Sequence, residues 1–347
     1  MALQDLATNL SAALSQLYAP KAIRAFNRRS ILAAELPKVD GKGKNCAWEL
    51  FFSGASAASY TDGADVSTYD VDVPVAATLS WSLYRSSFSI SGLAQAAAQS
   101  SGGSAEELLS LIETSADNSL MKLTSTINAG LFAGTGSGTT LTGLATALAA
   151  SGTYAGVSRS TYTEWAANVS SNGAVTRSLT KGLLDSLEGT IYDACGESPN
   201  LIIMPTAMAT KYESLFDSQT KVILTPGNDL SPMQGGGAHG NNVPMSGFTG
   251  FTYKGIPVYR DRDCTASTVY MLNTNYMAIE SLPFPKLTAG NAMTNVQGKG
   301  AMDQPVGINV CLEPMAKTGD ADKWTMKVYL ALKITKCSAH GVLSDVS

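Results

Sequence analysis

The chain has 347 residues, of which 44% are hydrophobic and 15% charged, and its 24 basic and 28 acidic residues give a formal net charge of −4. This length corresponds to about two domains, and the apolar content can bury a core, which excludes a disordered chain and a small disulfide-stapled scaffold. The charged fraction lies below the roughly 25% of an ordinary soluble domain. Because a soluble monomer relies on surface charge, the deficit predicts a surface that other chains cover; the alternative explanation is a bias of the composition toward alanine.

The charge is unevenly distributed along the chain. Residues 1–44 carry seven basic and three acidic side chains, whereas residues 45–121 carry nine acidic side chains against the single basic Arg85. The N-terminal segment is therefore predicted to be a basic arm that pairs with a neighbouring subunit or lies against phosphate, with a solvated charge run as the alternative. The overall balance argues against a dedicated nucleic-acid binder.

Residues 1–17 lack the basic leader and cleavage pattern of a signal peptide, and no stretch of roughly 18 apolar residues occurs. We therefore expect a protein that stays in the cytoplasm without a membrane contact. The five cysteines are scattered singly, which favours reduced packing residues over a disulfide framework or a zinc ribbon.

The N-terminal third predicts an arm followed by two strands. Leucines at helical spacing between residues 3 and 26 predict a short amphipathic helix, and Pro37 with residues 40–44 marks a joint. Strands are predicted at Trp48–Phe52 and Ala77–Tyr84, since both are rich in aromatic and apolar residues.

The second of these strands alternates, which places Leu79, Trp81 and Leu83 on one face. A hairpin of this length cannot bury a core by itself, so it must lie on another part of the assembly. The acidic stretch between Asp62 and Asp72 lacks the glycine register and terminal glutamate of a calcium loop, and it is interpreted as a solvated or subunit-facing tip.

A long helix gives the clearest pattern in the sequence. Ser104 and Glu107 form a capping box, an apolar stripe follows from Leu108 to Leu131, and the helix is predicted to end before Gly134. At about 1.5 Å per residue this element is a rod of roughly 40 Å, well beyond the usual ~12 residues.

The remaining chain alternates helices and strands and contains no internal repeat. Helices are predicted at Leu179–Ala194 and Thr206–Phe216, with a Gly, Pro and Asn-rich loop from Pro226 to Gly250. Strands are predicted at Leu201–Met204, Phe251–Tyr259, Val269–Leu272, Tyr276–Ile279, Val306–Met315 and Trp324–Thr335, the last two joined by a turn over residues 317–322.

The sequence contains few of the residues and motifs that catalytic sites use. His239 and His340 are the only histidines, neither has a partner at metal-ligand spacing, and no serine stands in G-x-S-x-G. The G-x-G-x-x-G match at Gly235–Gly240 lacks the flanking strand and helix, so it is interpreted as a loop. The run 261–263 (Asp-Arg-Asp) is interpreted as a turn with local ion pairs. We expect no catalytic residue, cofactor or metal.

The order of these parts resembles the major capsid proteins of tailed bacteriophages of the Hong Kong 97 type. The segment 200–212 is similar to the strand and helix of the family's axial domain, and residues 253–259 followed by 269–273 are similar to its G-x-P-V and strand-Asn segment. The resemblance covers nearly the whole chain, although its weight comes from the order of the elements.

The resemblance implies an α+β fold with five parts. They are an N-terminal arm (1–44), an extended β-hairpin loop (45–92), a peripheral domain with the long spine helix (93–140) and closing strands (300–347), and an axial α/β domain (141–299). It implies a structural, non-enzymatic subunit that forms hexamers and pentamers of an icosahedral head around double-stranded DNA, assembled in the host cytoplasm and found in the virion.

The resemblance also implies where the contacts lie. The candidate intersubunit residues in the loop are Tyr60, Asp65, Tyr69 and Asp70, and the candidate basic arm residues, which meet DNA without reading its sequence, are Arg24, Arg28, Arg29, Lys42 and Lys44. Some family members cross-link through a loop lysine, but no lysine occurs from Asn45 to Met121, so non-covalent contacts are expected. Whether portal, separate scaffolding and cement or decoration proteins also bind is left open.

Three other functions are alternatives to a phage head. An encapsulin-like compartment shell has the same fold and encloses a cargo enzyme. A cytoplasmic hydrolase is disfavoured by the two-histidine inventory, and a phage tail-tube or decoration protein is disfavoured by the length of the predicted helix.

Overall fold

The computed structural model of the protein describes residues 30–52, 59, 61–63, 73–100, 105–215, 251–283, 293–294, 308–316 and 319–347. The amphipathic helix predicted between residues 3 and 26 and the loop predicted from Pro226 to Gly250 lie outside the described residues.

The helices vary greatly in length. They are α1 (Ile31–Glu35), α2 (Gly92–Ser100), α3 (Ala105–Ala133), α4 (Leu144–Ala147), α5 (Lys181–Cys195) and α6 (Thr206–Leu215), with single 3₁₀ turns at Thr163–Trp165, Thr274–Tyr276 and Cys337–Ala339.

The strands are mostly short. They are β1 (Lys38–Asp40), β2 (Asn45–Leu50), β3 (Val75–Ser80), β4 (Ser82–Ser91), β5 (Thr153–Tyr154), β6 (Val157–Ser158), β7 (Asn168–Ser170), β8 (Leu201–Met204), β9 (Phe251–Tyr253), β10 (Ile256–Arg260), β11 (Val269–Leu272), β12 (Met277–Ser281), β13 (Met293–Thr294), β14 (Val310–Met315), β15 (Ala321–Ile334) and β16 (Gly341–Leu343).

Two mixed sheets organise the described chain. The first sheet has the order β1-β12-β15-β14-β13, with β4 paired along the other edge of β15, and the second sheet has the order β7-β16-β11-β8-β10-β9. Strands β2 and β3 form a separate antiparallel pair, as do β5 and β6. The α+β class predicted from the sequence is therefore confirmed.

Helix α3 is the predicted long helix, and its end before Gly134 is confirmed. Its 29 residues make a rod of about 44 Å. The described part of its apolar stripe, which comprises Ile112, Leu120, Leu123, Ile127 and Leu131, is buried in the main core. The small residue Ser119 lets the helix approach β4 closely, since its Oγ lies 2.8 Å from Ser86 Oγ.

Strand β15 confirms the predicted alternation at the C-terminal hairpin. Met326, Val328 and Leu330 are all buried, as a two-residue period requires. The strand begins at Ala321, three residues earlier than predicted, and its residues 321–330 pair with β4.

The prediction that Leu79, Trp81 and Leu83 share one face is wrong for Leu83. Strand β3 stops at Ser80 and β4 begins at Ser82, so the alternation shifts by one residue and leaves Leu83 49% exposed. Trp81 lies at the break, where its indole N–H donates to the Gly43 carbonyl at 3.1 Å and its ring occupies the space that a side chain at Gly41 would need.

The single strand predicted at Phe251–Tyr259 is instead the hairpin β9–β10. Lys254 and Gly255 both have positive φ, at 48° and 83°, which is the conformation of a tight two-residue hairpin turn. The strand predicted at Tyr276–Ile279 is present as β12, which begins one residue later, at Met277, because a 3₁₀ turn ends at Tyr276.

Helix α5 covers the second sheet. Leu184, Leu187 and Ile191 are buried, and a Cβ at Gly341 would lie 2.6 Å from Ile191 Cδ1, so β16 needs glycine there to approach the helix. Sheet membership crosses the predicted domain boundaries, because β12 joins the first sheet and β16 the second.

Candidate functional site

In the sequence, strands β2 and β3 flank the segment that carries the candidate contact residues. The two strands pair from Asn45 opposite Ser80 to Leu50 opposite Val75. Beyond this pairing Phe51 is 63% exposed and Val73 is 65% exposed. The candidate intersubunit residues Tyr60, Asp65, Tyr69 and Asp70 lie outside the described residues.

The base of the hairpin lies on aromatic side chains of the same subunit. Phe52 stacks on Tyr162 with ring centroids 4.4 Å apart and meets Trp165 edge-on at 5.8 Å. Tyr154 stacks on Trp165 at 5.7 Å, and its hydroxyl donates to the Leu332 carbonyl at 2.9 Å. The base of the hairpin is therefore packed on aromatic residues that are themselves hydrogen-bonded to β15 of the same subunit.

A polar cluster fixes the hairpin base from its other side. Glu280 of β12 accepts from the Cys46 thiol at 3.1 Å and from Lys333 Nζ at 2.9 Å, and Lys333 Nζ also lies 5.4 Å from the centre of the Trp48 ring. Burial, followed by this hydrogen bond, raises the pKa of Cys46 to about 12, so the thiol remains a protonated donor. Sequence reasoning missed this cluster, because its members come from distant parts of the chain.

The structure describes only part of the predicted basic arm. Lys42 and Lys44 are exposed just before β2, whereas Arg24, Arg28 and Arg29 lie outside the described residues. Lys38, which the sequence count includes among the arm's charges, is instead buried in β1. Burial lowers its pKa to about 8, with Glu35 acting in the opposite direction.

The described residues offer little for catalysis. His340 is buried, its Nδ1 accepts from the Asn273 N–H at 3.1 Å, and burial lowers its pKa to about 3, so the ring is neutral at ordinary pH. His239 and the G-x-G-x-x-G match lie outside the described residues. Within the described part of the chain no three His, Cys, Asp or Glu side chains are grouped so as to hold a metal.

The cysteines pack as predicted. All five are free thiols, and Cys46, Cys264, Cys311 and Cys337 are buried while Cys195 is half-buried. In the residues that the structure describes, no helix combines the length and apolar character that a bilayer crossing requires.

A long helix laid against a sheet, a second sheet covered by a helix and a separate two-stranded hairpin define the class. This is the Hong Kong 97-like fold of phage capsid proteins, and the chain is similar to a solved Cyanophage A-1(L) capsid subunit with a TM-score of 0.67 and 18% identity, over 91% of this chain and 92% of that one. Residues 47–347 match the family model of the SU10 major capsid protein. The chain therefore belongs to the SU10 major capsid protein family and is a structural capsid protein.

Other solved shells share the fold less closely. The capsid subunit of a native GTA particle gives a TM-score of 0.53 at 12% identity, over 91% of this chain and 90% of that chain. The SrpI encapsulin of Synechococcus elongatus PCC 7942 gives 0.52 at 12% identity, over 91% and 87%. No curated protein matches the chain by sequence.

Proposed function

We propose that the chain assembles with copies of itself into the hexamers and pentamers of an icosahedral phage head that encloses double-stranded DNA. The observation that carries this is the β2–β3 hairpin. Its base packs on the same subunit, whereas Phe51 and Val73, at the two ends of the loop between the strands, are exposed. Exposed apolar side chains of this size favour burial against another chain. A neighbouring subunit supplies that cover in a closed ring of heterologous contacts.

Within this proposal the segment between β2 and β3 is the intersubunit loop, and its contact residues are Tyr60, Asp65, Tyr69 and Asp70. The same proposal divides the chain into an arm (1–44), an extended loop (45–92), a peripheral domain (93–140 with 300–347) and an axial domain (141–299). Strands β12 and β16 connect the last two parts, since each pairs across the proposed boundary.

The basic arm is proposed to face the packaged DNA. Lys42 and Lys44 are exposed, and Arg24, Arg28 and Arg29 precede them in the sequence. Lysine and arginine neutralise phosphate without reading bases, so binding should weaken steeply with salt. The subunit is proposed to be non-enzymatic, to assemble in the host cytoplasm and to end in the virion.

Electron microscopy of the expressed protein, with sedimentation as a size check, tests the assembly. Uniform closed shells or capsomer rings are the expected result. A stable monomer or dimer that never assembles, even with a candidate scaffold, would contradict the proposal.

An encapsulin-like compartment is the second candidate, because the SrpI encapsulin shares the fold. The nucleic-acid content of purified particles separates the two. Double-stranded DNA inside particles recovered from infected cells supports the phage head, whereas a packaged enzyme without DNA supports the compartment.

A further inference from the structure

Side chains on strand β4 alternate between the two faces of the first sheet. Ser86 hydrogen-bonds to Ser119 of α3 and Ile90 is buried in the main core, so this set of residues faces the long helix. The residues between them are exposed, and the β15 residues directly opposite point to the same side of the sheet. We call this side the outer face, and six of its residues are Leu83, Arg85 and Ser89 on β4 with Tyr329, Lys327 and Lys323 opposite them on β15.

The outer face is basic and partly apolar. Arg85 is exposed and forms no ion pair with another residue that the structure describes, and Leu83 is 49% exposed. Strand β14 extends the same face with Glu313, which is hydrogen-bonded to Lys327, and with Met315, which is 47% exposed. Among these described side chains, three basic groups therefore accompany one acidic group, next to apolar side chains that are exposed.

In the described part of the chain, the hairpin of the same subunit covers the C-terminal end of β15. Cys46 of β2 clusters with Ala331, and the Trp48 ring lies 5.4 Å from Lys333 Nζ. Ala331 and Lys333 lie on the same side of the sheet as Tyr329, because alternate residues of a strand share a face. Strand β2 therefore runs along β15 in the direction away from the outer face, which leaves that face to another chain.

The segment between β2 and β3 has the complementary composition. Residues 53–72 contain four aspartates and neither lysine nor arginine. The aspartates are Asp62, Asp65, Asp70 and Asp72, and Val66, Tyr69 and Val71 stand between them in the sequence. Acidic and apolar groups in one segment match the basic and exposed apolar groups of the outer face. A DNA phosphate would match the charge alone, since it offers no apolar surface to Leu83 and Met315.

We propose that the outer face is the docking surface for residues 62–72 of a neighbouring copy of this chain. The inference rests on the proposed assembly, because it identifies the surface that receives the intersubunit loop. The aspartates of one copy pair with Arg85 and Lys323 of the next, while the valine and tyrosine side chains cover Leu83 and Met315. Opposite charges at such a contact select the partner and fix its register, and salt weakens them.

Charge reversal on each side of the contact tests the proposal. Arg85→Glu alone, and a loop variant that combines Asp65→Lys with Asp70→Lys, should each lower the yield of shells roughly tenfold or more, because like charges then meet. The chain that carries all three changes restores opposite charges and should recover most of the wild-type yield. Electron microscopy and sedimentation measure the yield, and circular dichroism of the unassembled subunit checks that each variant folds.

The matched control for this rescue is Lys211→Glu, which makes the same change of charge at an exposed position on α6. Combined with the loop variant, it should not restore assembly. If Arg85→Glu does not fold, Arg85→Gln removes the charge without reversing it and should lower the yield several-fold.

Three results would overturn this inference while leaving the proposed assembly intact. They are normal assembly of the Arg85 variant, equal rescue of the loop variant by Lys211→Glu, and an Arg85→Glu defect that the loop changes do not relieve. The last result would indicate that the outer face binds another anion, such as DNA phosphate. A wild-type chain that forms no shells would overturn the proposed assembly and this inference together.

Discussion

The long helix α3 and the β2–β3 hairpin cover their apolar residues in different ways. The stripe of α3 is buried against β4 and the main core within one subunit. In the described part of the hairpin, the base packs on the aromatic side chains around Trp165, whereas Phe51 and Val73 are exposed. The fold of the subunit therefore depends on α3, whereas the outer part of the hairpin is proposed to be covered by a neighbouring subunit.

The largest effect is expected on the helix. Leu123→Asp places a charge in the core and should cost roughly 4 kcal/mol or more, a large part of the about 5–15 kcal/mol by which an ordinary domain is stable. Solubility and circular dichroism of the expressed variant measure this. The control Met121→Asp lies on the same helix at a position that is 44% exposed and should fold normally. If Leu123→Asp folded as well as Met121→Asp, the burial of the α3 stripe would not be what the fold of the subunit depends on.

Acid should weaken the body of the subunit through His340. Its pKa is lowered from 6.5 to about 3 by burial, so the unfolded chain binds a proton that the folded chain does not. The contribution of His340 to the free energy of unfolding is fully present above pH 6.5. It falls by up to about 1.4 kcal/mol per pH unit as the pH decreases toward 3.

Urea unfolding between pH 7 and pH 4 measures this slope. His340→Gln retains an acceptor for the Asn273 N–H and should show a shallower pH dependence than the wild type. A wild type and variant with parallel pH profiles would show that the histidine is not the responsible group.

A smaller effect is expected at the base of the hairpin. Phe52→Ala removes the stacking on Tyr162 and should cost about 1–2 kcal/mol, since the ring is only half-buried. The neighbouring Phe51→Ala should change stability by less than about 0.5 kcal/mol, yet reduce the yield of shells. Urea unfolding together with particle counts separates the two effects, and the reverse ranking would mean that the anchoring of the hairpin is misassigned.

The smallest effect on stability is expected at the loop tip. Tyr69→Ala and Asp65→Asn should leave the subunit as stable as the wild type and impair assembly, because these residues are proposed to contact a neighbour. Sedimentation of assembled and free protein measures the outcome, with Asp193→Asn as a surface control. Normal assembly of both tip variants would place the intersubunit contact elsewhere.

Local patterns in the sequence predicted the elements that depend on them. The stripe of α3 and the alternation of β15 could be identified because each repeats over many residues. The polar anchor of Cys46 on Glu280 could not, since its two residues lie 234 positions apart. The candidate contact residues at the loop tip came from a family resemblance and stay predictions.

The sequence by itself determined the long helix, the closing strand β15 and the scarcity of catalytic groups, because side-chain periodicity and residue inventory are local properties. Only the tertiary structure decided three features. They are the change in strand alternation at Trp81, the packing of the hairpin base on aromatic rings, and the hydrogen bond between Asn128 and Asp261, 133 residues away. These features depend on long-range packing, in which a close approach such as that of Gly41 to the Trp81 ring overrides the local pattern.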